Sequence, residues 1–366
     1  MTSPSILIMS PEAPAAATPD RVMARLAGTT RREGLEPLAA RLSDLGEWLG
    51  EDLSSLSAEI AAISGAPRDV AERSARHLLD RPGKRLRAIC VLIAARFGAR
   101  VPGPKLIDLA IAAELVHAAT LLHDDVIDEG TERRGAAAAR VIFGNSASIL
   151  GGDHLLIEAL RRVQGFGDAS LLVELLDVIG EMIASEAIQL ERRGRRTLVL
   201  EASPEQRFGV YLDVVRGKTA ALFRWSLRAG ARASGLESPA IAALGRAGEA
   251  LGFAFQLIDD VIDLEGDAAV IGKDSLADLR EGKLTWPILV AIERDPGLAA
   301  KLEHIDSAAK LAGLVPQIRA TDCATATREE AQRWGAIALD ELRRLPPSRA
   351  RTGFEALISG ALERTS

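Results

Sequence analysis

Apolar residues return every three or four positions from about Leu35 onward, beginning with Leu38, Leu42, Leu45 and Leu49. A period near 3.6 lines such residues up on one face of a helix, so the pattern predicts one amphipathic helix after another. It breaks at Ser64-Gly65-Ala66-Pro67, Pro102-Gly103-Pro104, Gly165-Phe166-Gly167-Asp168, Gly235 to Pro239 and Asp295-Pro296-Gly297, where Gly and Pro cannot continue a helix. Strand alternation is scarce. Thr197-Leu198-Val199-Leu200 is the best candidate, but it is short and lies between helical patterns. The expectation is an all-α fold, a single large antiparallel helical bundle around a central cavity.

Before Leu35 the pattern fails. From Ser10 to about Gly34 the chain turns to Pro, Ala, Thr and Arg, too few apolar groups to offset the entropy of ordering. Residues 1–34 are therefore expected to be a disordered tail and 35–366 the folded domain. The one apolar run at the start, Ile6-Leu7-Ile8-Met9, has no basic flank, and no stretch approaches about 18 uninterrupted apolar residues, so neither a signal peptide nor a membrane span is expected.

Composition narrows the function classes. Among 366 residues, 48% are hydrophobic, enough for a large core. The net charge is −6 and no long Lys/Arg block occurs, so the electrostatic footprint of a nucleic-acid binder is missing. Two cysteines, Cys90 and Cys323, stand in unrelated contexts, which argues against a disulfide scaffold or a paired-cysteine metal site and fits a reducing, cytoplasmic setting.

Against that background one feature stands out, a pair of near-identical clusters: Asp124-Asp125-Val126-Ile127-Asp128 and Asp259-Asp260-Val261-Ile262-Asp263. The aspartates fall at i, i+1 and i+4. On a helix the first and last share a face and the second lies about 100° around, so three carboxylates are expected on one rim. Each cluster follows apolar residues, Leu122 in one case and Leu257-Ile258 in the other, which is unlike a solvated helix surface. The distance from position 124 to 259 also exceeds the 20–50-residue periods of solenoids and suggests two helices facing each other across a cavity. Hard oxygen donors in this number suit Mg²⁺, which takes one or two carboxylates and completes its shell with water and substrate phosphates.

Short basic motifs could meet the same anion. Gly83-Lys84-Arg85-Leu86-Arg87 places Lys84 and Arg87 three apart at an expected helix start, where free backbone N–H groups also favour an anion. Arg133-Arg134-Gly135 follows the first cluster, and the planar arginine fork matches phosphate oxygens. Gly217-Lys218-Thr219 imitates the end of a nucleotide-binding loop, but Leu212 stands where that motif needs Gly.

The order of GKRLR, LLHDDVIDxxxxRRG, GKTA, FQLIDDVID and GKxxxxDLREGKLTxP, spanning about Leu35 to Pro287, resembles the head-to-tail trans-polyprenyl diphosphate synthases. The resemblance implies an isoprenoid-synthase-like bundle around a deep hydrophobic cavity, usually as a homodimer, and condensation of isopentenyl diphosphate with an allylic diphosphate. It implies that Asp124, Asp125 and Asp128, helped by Arg133, bind the allylic diphosphate through Mg²⁺, and that Asp259, Asp260 and Asp263 complete a set of three ions. By the same match, Lys218 and Lys273 contact the departing diphosphate. Lys84, Arg87, His117 and Arg134 match the isopentenyl diphosphate pocket, Thr219 and Gln256 line the carbocation, and Phe255 is the neighbouring wall. His123 is either a partner of the first cluster or a core histidine.

Thr120 and Ala119, four and five residues before Asp124, lie about 6–7.5 Å below it along a helix. Short-chain relatives carry a bulky aromatic there. Ala119, with Ala112 and Ala113 deeper, leaves room for a medium- or long-chain product. The end of the chain, Leu362 to Ser366, lacks the basic run with which some short-chain members close the site, so closure is left without a residue. The alternatives are a short-chain synthase, a class I terpene cyclase, a His-Asp phosphohydrolase using His123-Asp124 with His77, and a noncatalytic synthase subunit.

Overall fold

The computed structural model describes residues 36–63, 65, 67–81, 83–99, 103, 105–193, 200–266, 277–303 and 308–364. The expected tail, Lys273 and most of the 197–200 segment lie outside the described residues; Leu200 itself is helical. Among the described residues helices carry nearly everything else, and the one sheet is a short hairpin pairing Glu132–Arg133 with Ala136–Ala137.

The helix boundaries follow the breaks in the pattern. Asn145–Phe166 stops at Gly167, a left-handed C-cap with φ 97°, and Ala221–Ala233 stops before Gly235 at φ 74°. Pro204–Val215 opens with a capping box, in which Ser203 Oγ accepts from the Gln206 N–H and the Gln206 side chain accepts from the Ser203 N–H.

At the centre lies Leu86–Ala95, all ten residues of which are buried. A helix apolar all round must be enclosed. It packs against Lys105–Ile127 and Ala221–Ala233. Lys105–Ile127 carries the first aspartate cluster and packs along Asn145–Phe166; Ser238–Glu265 carries the second and packs along Cys323–Arg343 and Ala221–Ala233. These two aspartate helices are long and apolar enough to cross a membrane, but two thirds of each apolar stretch (67%) is buried inside the protein. Their apolar faces are spent on the bundle core, which brings their C-terminal ends, and so the carboxylates, to one mouth.

Candidate active site

A cavity of about 830 Å³ opens between the two aspartate helices. Asp124 and Asp259 both line it. The expected facing of the two clusters is therefore present, but the expected convergence of three carboxylates is not: among the described residues no group of three His, Cys, Asp or Glu side chains stands close enough to hold one metal ion.

The reason is the i+1 geometry. A residue about 100° around from the cavity face turns into the bundle. Asp125 is 1% exposed, absent from the cavity wall, and its Oδ1 accepts from Arg133 Nε at 2.8 Å and Nη2 at 2.6 Å. Arg133 stays charged there: burial works against it and the Asp125 carboxylate outweighs that. Asp260, also buried, holds a parallel post in the second helix. Its Oδ1 accepts from Gln256 Nε2 at 2.9 Å, and its Oδ2 from Tyr211 Oη at 2.6 Å and the Trp286 N–H at 3.3 Å. Burial, then the neighbouring Asp278, pushes the Asp260 carboxyl up to about 8, with its three donors pulling the other way. In both helices the first aspartate faces the cavity and the second anchors a partner.

The fifth position differs. Asp128 follows the last turn of its helix, where Lys283 Nζ at 2.7 Å and Arg193 Nη1 at 2.9 Å reach it. Burial would raise its pKa, but these cations, with Lys218, hold it below the ordinary value. Asp263 lines neither this cavity nor the smaller chamber described below.

Lys218 rides on a π-helical segment, Arg216–Ala220. Wider turns of this kind often mark functional positions. A Cβ on Gly217 would lie 1.9 Å from Ser185 Oγ, so only glycine lets the segment press against Ala169–Arg193. That contact sets Lys218 Nζ against Glu186, 3.0 Å from Gln189 Oε1 and 3.5 Å from Asp124 Oδ2. Beside it Thr219 Oγ1 donates to Gln256 Oε1 at 2.9 Å.

The residues that the resemblance assigns to isopentenyl diphosphate also gather on the wall: Lys84, Arg87, His117 and Arg134. Lys84 precedes the helix rather than starting it, after which Arg85 takes a left-handed conformation (φ 46°) and Leu86 begins the helix. Arg87 is 8% exposed, with its guanidinium 4.7 Å from the Phe223 ring centre and its Nε unpaired. Gly83 ties the two basic motifs together, since a Cβ there would meet Arg134 Nη2 at 2.9 Å. His123 lines the cavity too, with Nε2 3.1 Å from the Ile149 carbonyl oxygen and 3.3 Å from Asp153.

Below the charged mouth the wall is apolar. Ala119 and Thr120 line it, but Ala112 and Ala113 are packed into the core and do not; the wall continues across Leu156, Ile179, Met182 and Ile183 from neighbouring helices.

Four charged residues at the mouth carry no role from the motifs: Lys283, Arg193, Glu186 and Arg364. Lys283 lies inside the quoted GKLT run. Arg364 adds to the expectation drawn from the chain's end: without a basic run, a single arginine still reaches the site, 4% exposed, stacked 4.0 Å above the Phe255 ring centre with Nη2 2.5 Å from Asp259 Oδ1.

Carboxylate oxygens at the mouth are hard donors that fit a divalent cation such as Mg²⁺, which needs only one or two of them. The unpaired Oδ2 of buried Asp125 adds an unused acceptor nearby. Because Asp124, Asp128 and Asp259 each face a cation of the chain, metal binding has to exchange those partners. Acids and bases at the mouth of an apolar pocket in an all-α bundle define a class of enzyme that grips a charged head group and buries a hydrocarbon tail.

Residues 68–318 match the polyprenyl synthetase family model. The heptaprenyl diphosphate synthase component 2 of Geobacillus stearothermophilus is 31% identical over 313 residues, covering 85% of this chain and 95% of that protein. A polyprenyl synthase from Caulobacter crescentus CB15, crystallised with calcium and isoprenyl diphosphate, superposes with a TM-score of 0.81 at 31% identity, over 88% of this chain and 97% of that one. A decaprenyl diphosphate synthase from Rhodobacter capsulatus gives 0.78 at 31% identity, over 88% and 99%. The chain belongs to the polyprenyl synthetase family and is a prenyltransferase.

Proposed function

We propose that the chain condenses isopentenyl diphosphate with an allylic diphosphate, dependent on Mg²⁺, to give a medium- or long-chain all-trans polyprenyl diphosphate. One observation carries this reading: a single cavity joins Asp124, Asp259 and Lys218 to Lys84, Arg87, His117 and Arg134, above an apolar wall. Two anionic head groups and one growing tail are what that division of the wall accommodates.

Breaking the allylic C–O bond puts negative charge on the departing diphosphate and positive charge on the alkyl fragment. Bound metal ions supply electrostatic stabilisation of the first. Lys218, fixed by Glu186 and Gln189, adds a charge aimed at the same oxygens. On the other side, the Thr219 hydroxyl, the Gln256 amide and the face of Phe255 present electron-rich groups to the cation. Gln256 is held in orientation by Asp260. Lys84, Arg87 and Arg134 position isopentenyl diphosphate so that its double bond attacks the cation; no side-chain nucleophile is required, and the released diphosphate takes the final proton.

The chain is read as a cytosolic homodimer. Both cysteines are free and buried, as in a reducing compartment. Leu150 and Ile157 on one helix and Leu176 on the next are 48–52% exposed, an apolar face of the kind a second copy covers. Incubating the chain alone with Mg²⁺, farnesyl diphosphate and labelled isopentenyl diphosphate tests the reading, with products resolved by length. Absence of elongation overturns it, and the name "component 2" of the Geobacillus relative is a reason to run the chain without any partner.

A further inference from the structure

Behind the wall made by Lys218, Thr219 and Gln256 lies a second chamber of about 150 Å³. It has room for several waters or one small anion. Among the described residues its lining is strongly cationic: Arg192, Arg193 and Arg207 join Lys218 and Lys283, against two carboxylates, Asp260 and Asp278. Neither carboxylate is free to repel an anion. Asp260 already accepts hydrogen bonds from Tyr211, Gln256 and Trp286, and Asp278 lies 3.8 Å from Lys283.

The prenyl-transfer chemistry uses Lys218, and Lys283 and Arg193 hold Asp128, but Arg192 and Arg207 are left without employment. Arg207 Nε is shielded from solvent and has no acceptor among the described residues. A shielded donor left without an acceptor is costly, and the arginine fork it belongs to suits phosphate oxygens.

The chamber also adjoins the place where an anion is produced. Lys218 belongs to both walls, 3.5 Å from Asp124. Arg193 and Lys283 line the chamber while their side chains hold Asp128.

We propose that this chamber is a second anion site that takes inorganic diphosphate as it leaves the catalytic cavity. The assignment rests on the prenyl-transfer reading for the identity of the anion. It makes Arg192 and Arg207 binding residues that touch neither the allylic nor the isopentenyl substrate. The volume admits a small inorganic anion and excludes a prenyl tail.

Metal-free calorimetry separates this site from the others. With EDTA present, binding that needs Mg²⁺ is silent, and saturating isopentenyl diphosphate fills the Lys84/Arg87/Arg134 pocket. Under those conditions the wild-type chain is expected to bind one inorganic diphosphate, and the Arg192→Gln/Arg207→Gln double variant to bind it about tenfold or more weakly. Arg207→Lys, which keeps the charge and loses the fork, is expected to fall between them and serves if the double variant does not fold. Equal affinity in wild type and variants, or no binding by the wild type, overturns the proposal. Elongation by the wild-type chain is measured alongside: its failure counts against the prenyl-transfer reading, while the calorimetry still reports on the chamber.

Discussion

Arg364 and Asp259 form an ion pair at 2.5 Å across the mouth of the cavity, joining the last described residue of the chain to the first aspartate of the second cluster. The Arg364 side chain is 4% exposed and the Asp259 side chain 43%, so the arginine is pinned while the carboxylate still reaches solvent. A cation at Asp259 competes with any metal ion there. Arg364→Ala is expected to lower the Mg²⁺ concentration for half-maximal elongation, by about three- to tenfold if the pair is worth ~1 kcal/mol. A metal titration of initial rates reads this directly, and an unchanged midpoint would show that Asp259 does not meet the metal.

The two adjacent aspartates of the first cluster should fail in different ways. Asp124 faces the cavity, and burial raises its carboxyl above the ordinary range. Truncation relieves that strain, so Asp124→Ala is expected to keep its melting temperature and lose elongation by at least about 10²-fold. Asp259→Ala should lose elongation likewise, but it also leaves the buried Arg364 without its carboxylate and is expected to lower the melting temperature. Asp125→Ala instead leaves Arg133 uncompensated. Fully buried pairs cost about 3–5 kcal/mol to break, and with the Arg133 side chain 28% exposed about 2 kcal/mol is expected, a fall in Tm of roughly 3 °C for a domain of this size. Calorimetry and the elongation assay together distinguish the patterns; a stable, inactive Asp125→Ala would make it a ligand instead.

The sequence announced what is local and repeated. The i, i+1, i+4 spacing exposed both clusters, and the interruptions at Gly167 and Gly235 marked helix ends the structure keeps. What it hid depends on distant pairing. Arg193 reaches Asp128 from 65 positions away, Lys283 from 155, and Arg364 reaches Asp259 from 105. Arg193 and Arg364 have no neighbouring pattern to mark them, and the motif around Lys283 does not show which carboxylate it meets. The split within each cluster was hidden for another reason: helical periodicity places Asp125 and Asp260 off the cavity face, but only the packed neighbours, Arg133 in one case and Tyr211 with Trp286 in the other, show that those side chains are bound inward.

His117 gives the site a pH signature. Burial, then the charges of Arg87, Arg134 and Arg133, holds its imidazole well below the ordinary 6.5. As pH falls through about 6.5 the unfolded chain takes up a proton that the folded chain refuses, so the unfolded state binds more protons and stability falls with pH. The stability of wild type relative to His117→Gln should therefore be constant above pH 7.5 and decline toward pH 5.5. A difference that stays flat across that range would mean that His117 titrates normally in the folded protein.

Product length is the property most exposed to a single side chain. Ala119 lies on the cavity wall one turn below the Asp124 level, and the wall beyond it passes to Leu156, Ile179, Met182 and Ile183 on neighbouring helices. A growing tail has to pass position 119 before it reaches them. Ala119→Phe places a ring across that passage near the mouth, so the tail is stopped after fewer additions while the charged groups above are untouched. Reverse-phase separation of the products should show a shift to shorter chains with turnover within about tenfold of wild type. Met182→Ala, which opens the wall further down, should lengthen products or leave them unchanged, and never shorten them. An unaltered distribution in a folded Ala119→Phe protein would place the tail along another wall of the cavity.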